Sequence, residues 1–439
     1  MKPSPLPPLF FAVRLPTLLA IFWRVGFSRK LIAGAPHRQP PSFLIFRLDS
    51  LGDVVLTTPL FRALKTAWPK SRCTVVVQRA YKPLLVTNPY VDEVLTLPRL
   101  RPSWLKLLPV LIFYFTRLRK RFFDFAISPR WDTDEHLATF LCVLTLAASR
   151  VGYSENATPA KQRMNRGFDA AYDVCLPAGA VRHEVLRNLA IVGALGGLSI
   201  EARPEIHLTE RDYRWAARLL KDAVHPAGLV ALGIGARSPG RKWPLPRYAE
   251  TVAQLAMEHE IQPVIVCSSA ELGDALQLAE MLPHPLIVSG APIRVVCAVL
   301  ERCQLFLGND SGCAHLAAAV NCATIVISRH PRDGDPGHFN SPLRFAPVGT
   351  HVRVLQPASG LDECTTACRR TAPHCIAAVS ADEAAEAARR MLDEQCRTAA
   401  TPPAVDLPER SRLLLHSHSA EAIRRAVESL RGAPDAPPV

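Results

Sequence analysis

Residues 46–55 read "FRLDSLGDVV" and close an apolar run that starts at Phe43. Two carboxylates, Asp49 and Asp53, flank Leu51-Gly52 where a strand gives way to a helix. Gly52 permits a tight turn, and Asp53 falls in the first helical turn, where the helix dipole favours an anion. Two readings stand side by side at this point. Asp53 is a capping or dipole partner, or it is a general base held over a substrate cleft. No G-x-G-x-x-G follows the strand, so the dinucleotide fingerprint is missing.

Working outward, short apolar runs alternate with helical patterns. Strands are predicted at 43–47, 73–77, 93–97 and 124–128, and helices at 53–67, 103–121, 135–148 and 183–195. A second series has strands near 229–233, 262–267, 285–289, 304–308 and 323–328, with helices near 245–259, 271–281, 292–302 and 312–320. Such alternation predicts parallel sheets with crossover helices, and two series predict two doubly wound α/β domains. The expected division is a basic apolar arm at 1–42, a first domain at 43–205, a second at 206–398, and a Pro-rich linker with a terminal helix at 399–439. A ligand then belongs at the carboxyl ends of the strands, between the domains.

The net charge of +13 is local. Residues 1–42 carry six basic side chains and no acid, residues 99–121 carry seven more and no acid, and the rest is balanced. This placement, with no aromatic-basic platform, argues against a nucleic-acid-binding protein. Both basic segments, "RLPTLLAIFWRVGF" and "WLKLLPVLIFYFTRLRKRFF", are also greasy. Neither offers the roughly 20 uninterrupted apolar residues of a spanning helix. Both fit an anionic membrane interface, and both also fit a buried helix. Of the twelve cysteines, Cys73, Cys142, Cys267, Cys297 and Cys303 sit inside apolar runs, as small buried hydrophobes of a reducing compartment do.

Two further stretches bear on chemistry. "LGIGARSPGRKWP" (232–244) puts Arg237, Arg241 and Lys242 on a Gly-, Ser- and Pro-containing loop after a strand. It offers cations and free amides to a phosphate, although the P-loop spacing fails, and a solvated basic loop reads the same way. "FLGNDSGCAHLAAA" (306–319) ends a strand and opens a helix whose first amides, at Ser311, Gly312 and Cys313, suit a diphosphate. His315 lies one turn on. A plain capped helix is the alternative. Late in the chain, "CTTACRRTAPHC" groups Cys364, Cys368 and Cys375 with His374. Those are four possible zinc ligands, but the spacing is not a strong finger signature and His374 and Cys375 are adjacent.

Taken in order, "RLDSLGDVVLTTPLFRALK", "HEVLRNLAIVGALG", "KWP", "CSSAELGDALQLAE" and "NDSGCAHLAAA" resemble the bacterial heptosyltransferases, glycosyltransferase family nine, over about residues 43–396. The resemblance implies a GT-B fold, two Rossmann-like domains facing across a cleft. It implies an inverting transfer of a sugar, commonly heptose from ADP-heptose, without a metal. By the same resemblance Asp53 is the catalytic acid of the S-L-G-D motif, Lys242 meets the donor diphosphate and Ser238 adds a hydroxyl from the same loop. Glu271 stands near the nucleoside, and Asp310, Ser311, Gly312 and His315 hold sugar and diphosphate.

The expected acceptor is a lipid-linked saccharide of the lipopolysaccharide type, and the expected location is cytoplasmic, peripheral on the inner face of a bacterial inner membrane. Two stretches depart from the pattern. "SRHPRDGDPGHFNSP" (328–342) stands where the family has a G-P-T-type turn. "SPRWDTDEH" (128–136) carries Arg130, Asp132 and His136 at the end of the fourth strand, and these are expected to bind the acceptor, with Arg130 suited to phosphorylated sugars; a surface loop is the alternative. Rival readings are a GT-B transferase with another nucleotide-sugar donor and a catalytically silent sugar-nucleotide-binding module at the membrane.

Overall fold

The computed structural model describes residues 40–97, 107–180, 182–198, 201–360 and 372–398. In the first lobe, β1 (Ser42–Arg47) leads into α1 (Leu51–Val55) and α2 (Thr58–Ala67). β2 (Arg72–Gln78), α3 (Lys82–Leu85), β3 (Glu93–Leu97), α4 (Leu107–Phe113) and β4 (Phe122–Ser128) follow. α5 (Ala138–Leu144), β5 (Leu146–Tyr153), α6 (Pro159–Met164), β6 (Val174–Leu176) and α7 (Glu184–Ala194) complete it. The second lobe runs through α8 (Glu210–Leu219), β7 (Leu229–Gly233), α9 (Leu245–Leu255), β8 (Gln262–Cys267), α10 (Leu272–Ala279), β9 (Leu286–Ser289) and α11 (Ile293–Glu301). It ends with β10 (Leu305–Asn309), α12 (Gly312–Ala319), β11 (Ala323–Ile327), α13 (Pro342–Phe345), β12 (Val352–Leu355) and α14 (Ala381–Thr398).

Each lobe holds one six-stranded parallel sheet. The orders are β3-β2-β1-β4-β5-β6 and β12-β11-β10-β7-β8-β9. Numbered within their own lobes, both are the doubly wound order 3-2-1-4-5-6, with the direction of winding reversing between β1 and β4 and between β7 and β10. The central strands are buried on both faces, as parallel sheets require: Phe43 to Phe46 and Leu305 to Leu307 are at most 1 % exposed. The five cysteines expected inside apolar runs are all buried and unpaired.

The structure departs from the predicted elements where the sequence lacks punctuation. The helix expected at 135–148 stops at Leu144 and a strand follows at once. No Gly or Pro marks the change; Thr145 makes it, its hydroxyl donating to Cys142 O (2.7 Å) and its backbone turning extended. The helix expected over 53–67 is two helices, because Pro59 has no N–H to continue the ladder and sits in the first turn of α2. Strands β6 and β12 are too short, at 3 and 4 residues, to leave a pattern. Helix α8 lies just past the expected domain division at 205/206, announced only by the Thr209/Asp212 capping box. Residues 1–39 of the arm expected at 1–42, the helix expected at 419–432, Cys364 and Cys368 lie outside the described residues.

Candidate active site

The loops after β1, β4, β7 and β10, the strands at the two reversal points, carry nearly every residue singled out from the sequence. The front half of the site is a four-charge cluster. Arg47, fully buried at the end of β1, donates from Nη1 to Asp49 Oδ2 (3.2 Å) and from Nε to the Asp53 carbonyl (3.2 Å). Asp53 Oδ2 accepts from the Ser50 amide (3.0 Å) and hydroxyl (2.6 Å) in a capping box that starts α1. Its Oδ1 faces Arg47 Nη2 at 3.6 Å and Arg130 Nη1 at 3.7 Å. The capping reading holds: Asp53 caps its helix with one oxygen, and it leaves the other free of hydrogen bonds among the described residues. Burial alone would raise its pKa; the two guanidiniums and the Ser50 donors outweigh that and bring it down to about 2.

The rear half is built by Asn309 at the end of β10. Its side chain accepts from Trp243 N–H (2.8 Å) and donates to Ile234 O (2.8 Å), so the loop after β7 is stapled beside β10. Trp243 is buried and anchored to Val379 O (3.0 Å), which fixes its neighbours Arg241 and Lys242. Arg241 reaches Asp310 Oδ2 at 2.8 Å, and Lys242 reaches Asp274 Oδ2 at 2.6 Å. Glu271 caps the turn before α10, accepting from the Ser268 amide at 3.0 Å and hydroxyl at 2.8 Å. Its carboxylate oxygens lie against Gly235, 2.8 Å from where a Cβ would stand. Ser311 Oγ, His315 Nδ1 and Arg241 Nε on this side are buried without a partner among the described residues. Burial keeps the His315 ring neutral despite Asp310 and Asp53 nearby.

The halves meet through two glycines. A Cβ at Gly52 would stand 2.7 Å from His315 Cδ2, and one at Gly312 would stand 2.6 Å from Leu51 Cδ2. The N-termini of α1 and α12 thus converge from opposite lobes, and both point positive ends at the same place. Asp53, Ser311, Gly312 and His315 are brought together; Asp310 and Lys242 flank them through Arg241 and Asp274. Ser238 caps a turn at 239–241 without using its side chain.

The loop after β4 behaves differently from the acceptor site expected of it. Asp132 Oδ2 accepts from Arg344 Nη1 (3.1 Å), which belongs to the opposite lobe and is fully buried. Arg344 also pairs with Glu184 (3.1 Å) and lies 4.6 Å over the Trp131 ring. Asp132 is therefore engaged as an inter-lobe pin. His136 is half-buried and its amide caps onto Asp134 (3.1 Å). Arg130 alone of the three points at the site. Lys161, buried, holds this loop by donating to Arg130 O, Trp131 O and Tyr153 O at 3.2, 3.1 and 2.8 Å. Arg47, Asp274 and Arg344 were missed from sequence. Arg47 left a signal, a cation at the end of a buried apolar strand; Arg344 left none.

Among the described residues no group of three or more His, Cys, Asp or Glu is arranged to hold a metal ion. Of the late cluster, His374 Nδ1 and Cys375 Sγ are 3.0 Å apart.

The sequence profile of glycosyltransferase family 9 (heptosyltransferase) matches residues 116–334. Lipopolysaccharide heptosyltransferase 3 of Escherichia coli is 23% identical over 280 residues, 63% of this chain and 80% of that protein. The crystal structure of a family 9 glycosyltransferase from Veillonella parvula superposes with a TM-score of 0.67 at 18% identity, covering 82% of this chain and all of that one. The E. coli heptosyltransferase WaaC with ADP gives a TM-score of 0.58 at 19% identity, over 80% and 99% of the two chains. These likenesses make the two lobes a GT-B fold. With the ordered motifs and the doubly wound lobes, they establish that the chain belongs to glycosyltransferase family 9, the heptosyltransferases, and is a glycosyltransferase.

Proposed function

We propose that this enzyme transfers heptose from ADP-heptose, with inversion, to a lipid-linked saccharide in lipopolysaccharide or related glycan synthesis. The observation that carries the reading is the convergence of Asp53 with Ser311 and His315 across the Gly52 and Gly312 contacts. The acceptor hydroxyl gives its proton to Asp53 Oδ1 as its oxygen bonds to the anomeric carbon. On the opposite side the carbon–oxygen bond to the diphosphate breaks, and its electron pair leaves with the phosphate oxygen. The amides opening α12, the unpartnered Ser311 hydroxyl and His315 Nδ1, and the cations Arg241 and Lys242 stand ready for that growing charge. Donors set in advance stabilise a leaving anion most, and no step in this sequence calls for a metal. Glu271 beside Gly235 suits the nucleoside, and the ADP complex of WaaC supports adenine as its base.

The enzyme works on this reading at the inner face of a bacterial inner membrane. No described helix is long and apolar enough to cross one. On α4 and its continuation at 114–118, Leu108, Ile112 and Phe115 are 58%, 54% and 58% exposed at helical spacing. Arg117, Arg119 and Lys120 flank them. That mixture suits an anionic bilayer surface beside a lipid-linked acceptor.

The test pairs Asp53→Ala with calorimetric titration of ADP, UDP, GDP and CDP. The variant should lose transfer by 10²-fold or more, about the usual size of a general-base effect, while ADP affinity stays near wild type. Retention of more than about a tenth of wild-type turnover removes Asp53 from the base role. Preference for another nucleoside diphosphate removes ADP-heptose.

A further inference from the structure

The two oxygens of Asp53 are unequally free. Oδ2 is committed to Ser50, whereas Oδ1, among the described residues, has only two cations near it, both beyond hydrogen-bond length. Those cations differ. Arg47 has no exposed surface and is tied to Asp49 and to the Asp53 backbone, so it is a permanent counterion. Arg130 comes from the loop after β4, and its side chain is one-fifth exposed. It approaches Asp49 Oδ1 at 3.5 Å and Asp53 Oδ1 at 3.7 Å without a hydrogen bond to either, and among the described residues its side chain's one bond runs from Nε to Thr133 O at 3.2 Å. Lys161 holds the backbone of this loop, at Arg130 O and Trp131 O, and makes no contact with the guanidinium's two Nη atoms among the described residues.

We propose that Arg130 is a removable counterion of the base: an anionic group on the acceptor, phosphate or carboxylate, draws Arg130 off Asp49 and Asp53, so Asp53 becomes an effective proton acceptor only when acceptor is bound. This rests on Asp53 being the base, as proposed above. An arginine forms paired, charge-assisted hydrogen bonds with phosphate or carboxylate, and here it makes none with its present partners. The remaining groups facing Asp53 do not substitute for Arg130. Arg47 is fixed, Asp49 is itself an anion, Ser50 is neutral, and His315 from the opposite lobe is held neutral by burial. With Arg130 in place, a water molecule that wandered in beside the donor would meet a weakened base. Arg130 is in this sense a positioning residue that guards the donor from hydrolysis: water's proton would otherwise go to Oδ1, its oxygen to the anomeric carbon, and the diphosphate would leave without a productive transfer.

The deciding experiment titrates the Asp53 carboxyl by carbon-13 NMR, its resonance assigned with Asp53→Asn, in wild type, Arg130→Gln and Arg130→Lys. Removing one close opposite charge should raise the Asp53 pKa in Arg130→Gln by about one to three units, and Arg130→Lys should keep it low. Inorganic phosphate, against chloride at matched ionic strength, should raise it in wild type and leave Arg130→Gln unmoved. Acetate in place of phosphate tells which anion the site takes. ADP release from ADP-heptose without acceptor should quicken about tenfold in Arg130→Gln, as restored basicity implies. An unchanged Asp53 pKa in Arg130→Gln overturns the proposal, as does failure of both anions to move it in wild type. If no form turns over ADP-heptose, the donor assignment falls, while the carboxyl titration still decides the role of Arg130.

Discussion

Lys242 and Arg241 show how two neighbouring cations divide one task. Lys242 rests on Asp274 and Arg241 on Asp310, so in the ligand-free enzyme both charges are parked on carboxylates at the rim of the proposed diphosphate site. Both pairs are partly exposed, which limits what they add to stability and leaves them open to exchange for a ligand. Lys242→Ala should lower kcat by about 10²- to 10³-fold, because its charge is worth most when the leaving diphosphate carries its full charge. ADP affinity should fall less, by about tenfold, the size of a lost charge-assisted hydrogen bond. Steady-state kinetics alongside ADP titration separates the two effects; an equal loss in both would mean that Lys242 only binds. Lys242 was legible in sequence through its motif, whereas its parking partner Asp274 was not, because only the fold brings α10 beside the loop after β7.

Among the elements, α1 and α12 decide whether the site exists. They approach so closely that Gly312 has no room for a side chain: a Cβ would lie 2.6 Å from Leu51 Cδ2 and 2.8 Å from Leu51 Cβ. Gly312→Val should wedge the helices apart. A displacement of about 1 Å between reacting groups costs on the order of 10²-fold, so transfer should drop by about that much, while ADP binding, proposed for the rear lobe alone, should persist. Loss of ADP binding as well would place the damage inside the rear lobe. Helix α4 illustrates the opposite arrangement, an element with two apolar faces. Val110, Phe113 and Leu118 are buried against the sheet, while Leu108, Ile112 and Phe115 face out. Ile112→Asp should weaken binding to phosphatidylglycerol-containing vesicles several-fold, with little change on neutral vesicles, and high salt should weaken the wild type as well. Equal binding by both proteins would leave the outer face with another partner, such as a segment of this chain.

At the scale of the molecule, the lobes are joined by a buried polar contact around Arg344, Asp132 and Glu184, and by His183, whose Nε2 donates to Ala346 O at 2.9 Å. His183 Nδ1 accepts from Val185 N–H (3.3 Å), which assigns the Nε2–H tautomer and leaves no place for a second proton. Enclosure between the lobes is the main cause that brings its pKa from 6.5 to about 4, with His315 and Arg187 adding to it and the Ala346 bond and Glu184 opposing it. The folded protein thus resists a proton that the unfolded chain accepts. Stability is full above pH 6.5 and declines as the pH falls from 6.5 towards 4. Thermal unfolding across that window should show the decline, and His183→Gln should flatten it. A curve unchanged by the substitution would assign the acid sensitivity elsewhere. Arg344→Ala removes the cation that Asp132 and the buried Glu184 share across the lobes, leaving Glu184 with Arg187 alone, and should destabilise by about 3 kcal/mol, the lower end of what removing one member of a buried pair costs.

The sequence by itself determined the two doubly wound lobes, since long apolar strands alternating with amphipathic helices have few other solutions. It also determined the residues that sit where a strand meets a helix N-terminus, Asp53 and Ser311 to His315, because local geometry aims them. Tertiary structure alone decided what those residues face. The clamp of Arg47 and Arg130 on Asp53, the parking of Lys242 on Asp274, and the turning of Asp132 from acceptor candidate to inter-lobe pin all join residues 6 to 212 positions apart. Charge pairs of that kind leave no periodicity in the chain; they depend on which loops two folded lobes bring within 4 Å of one another.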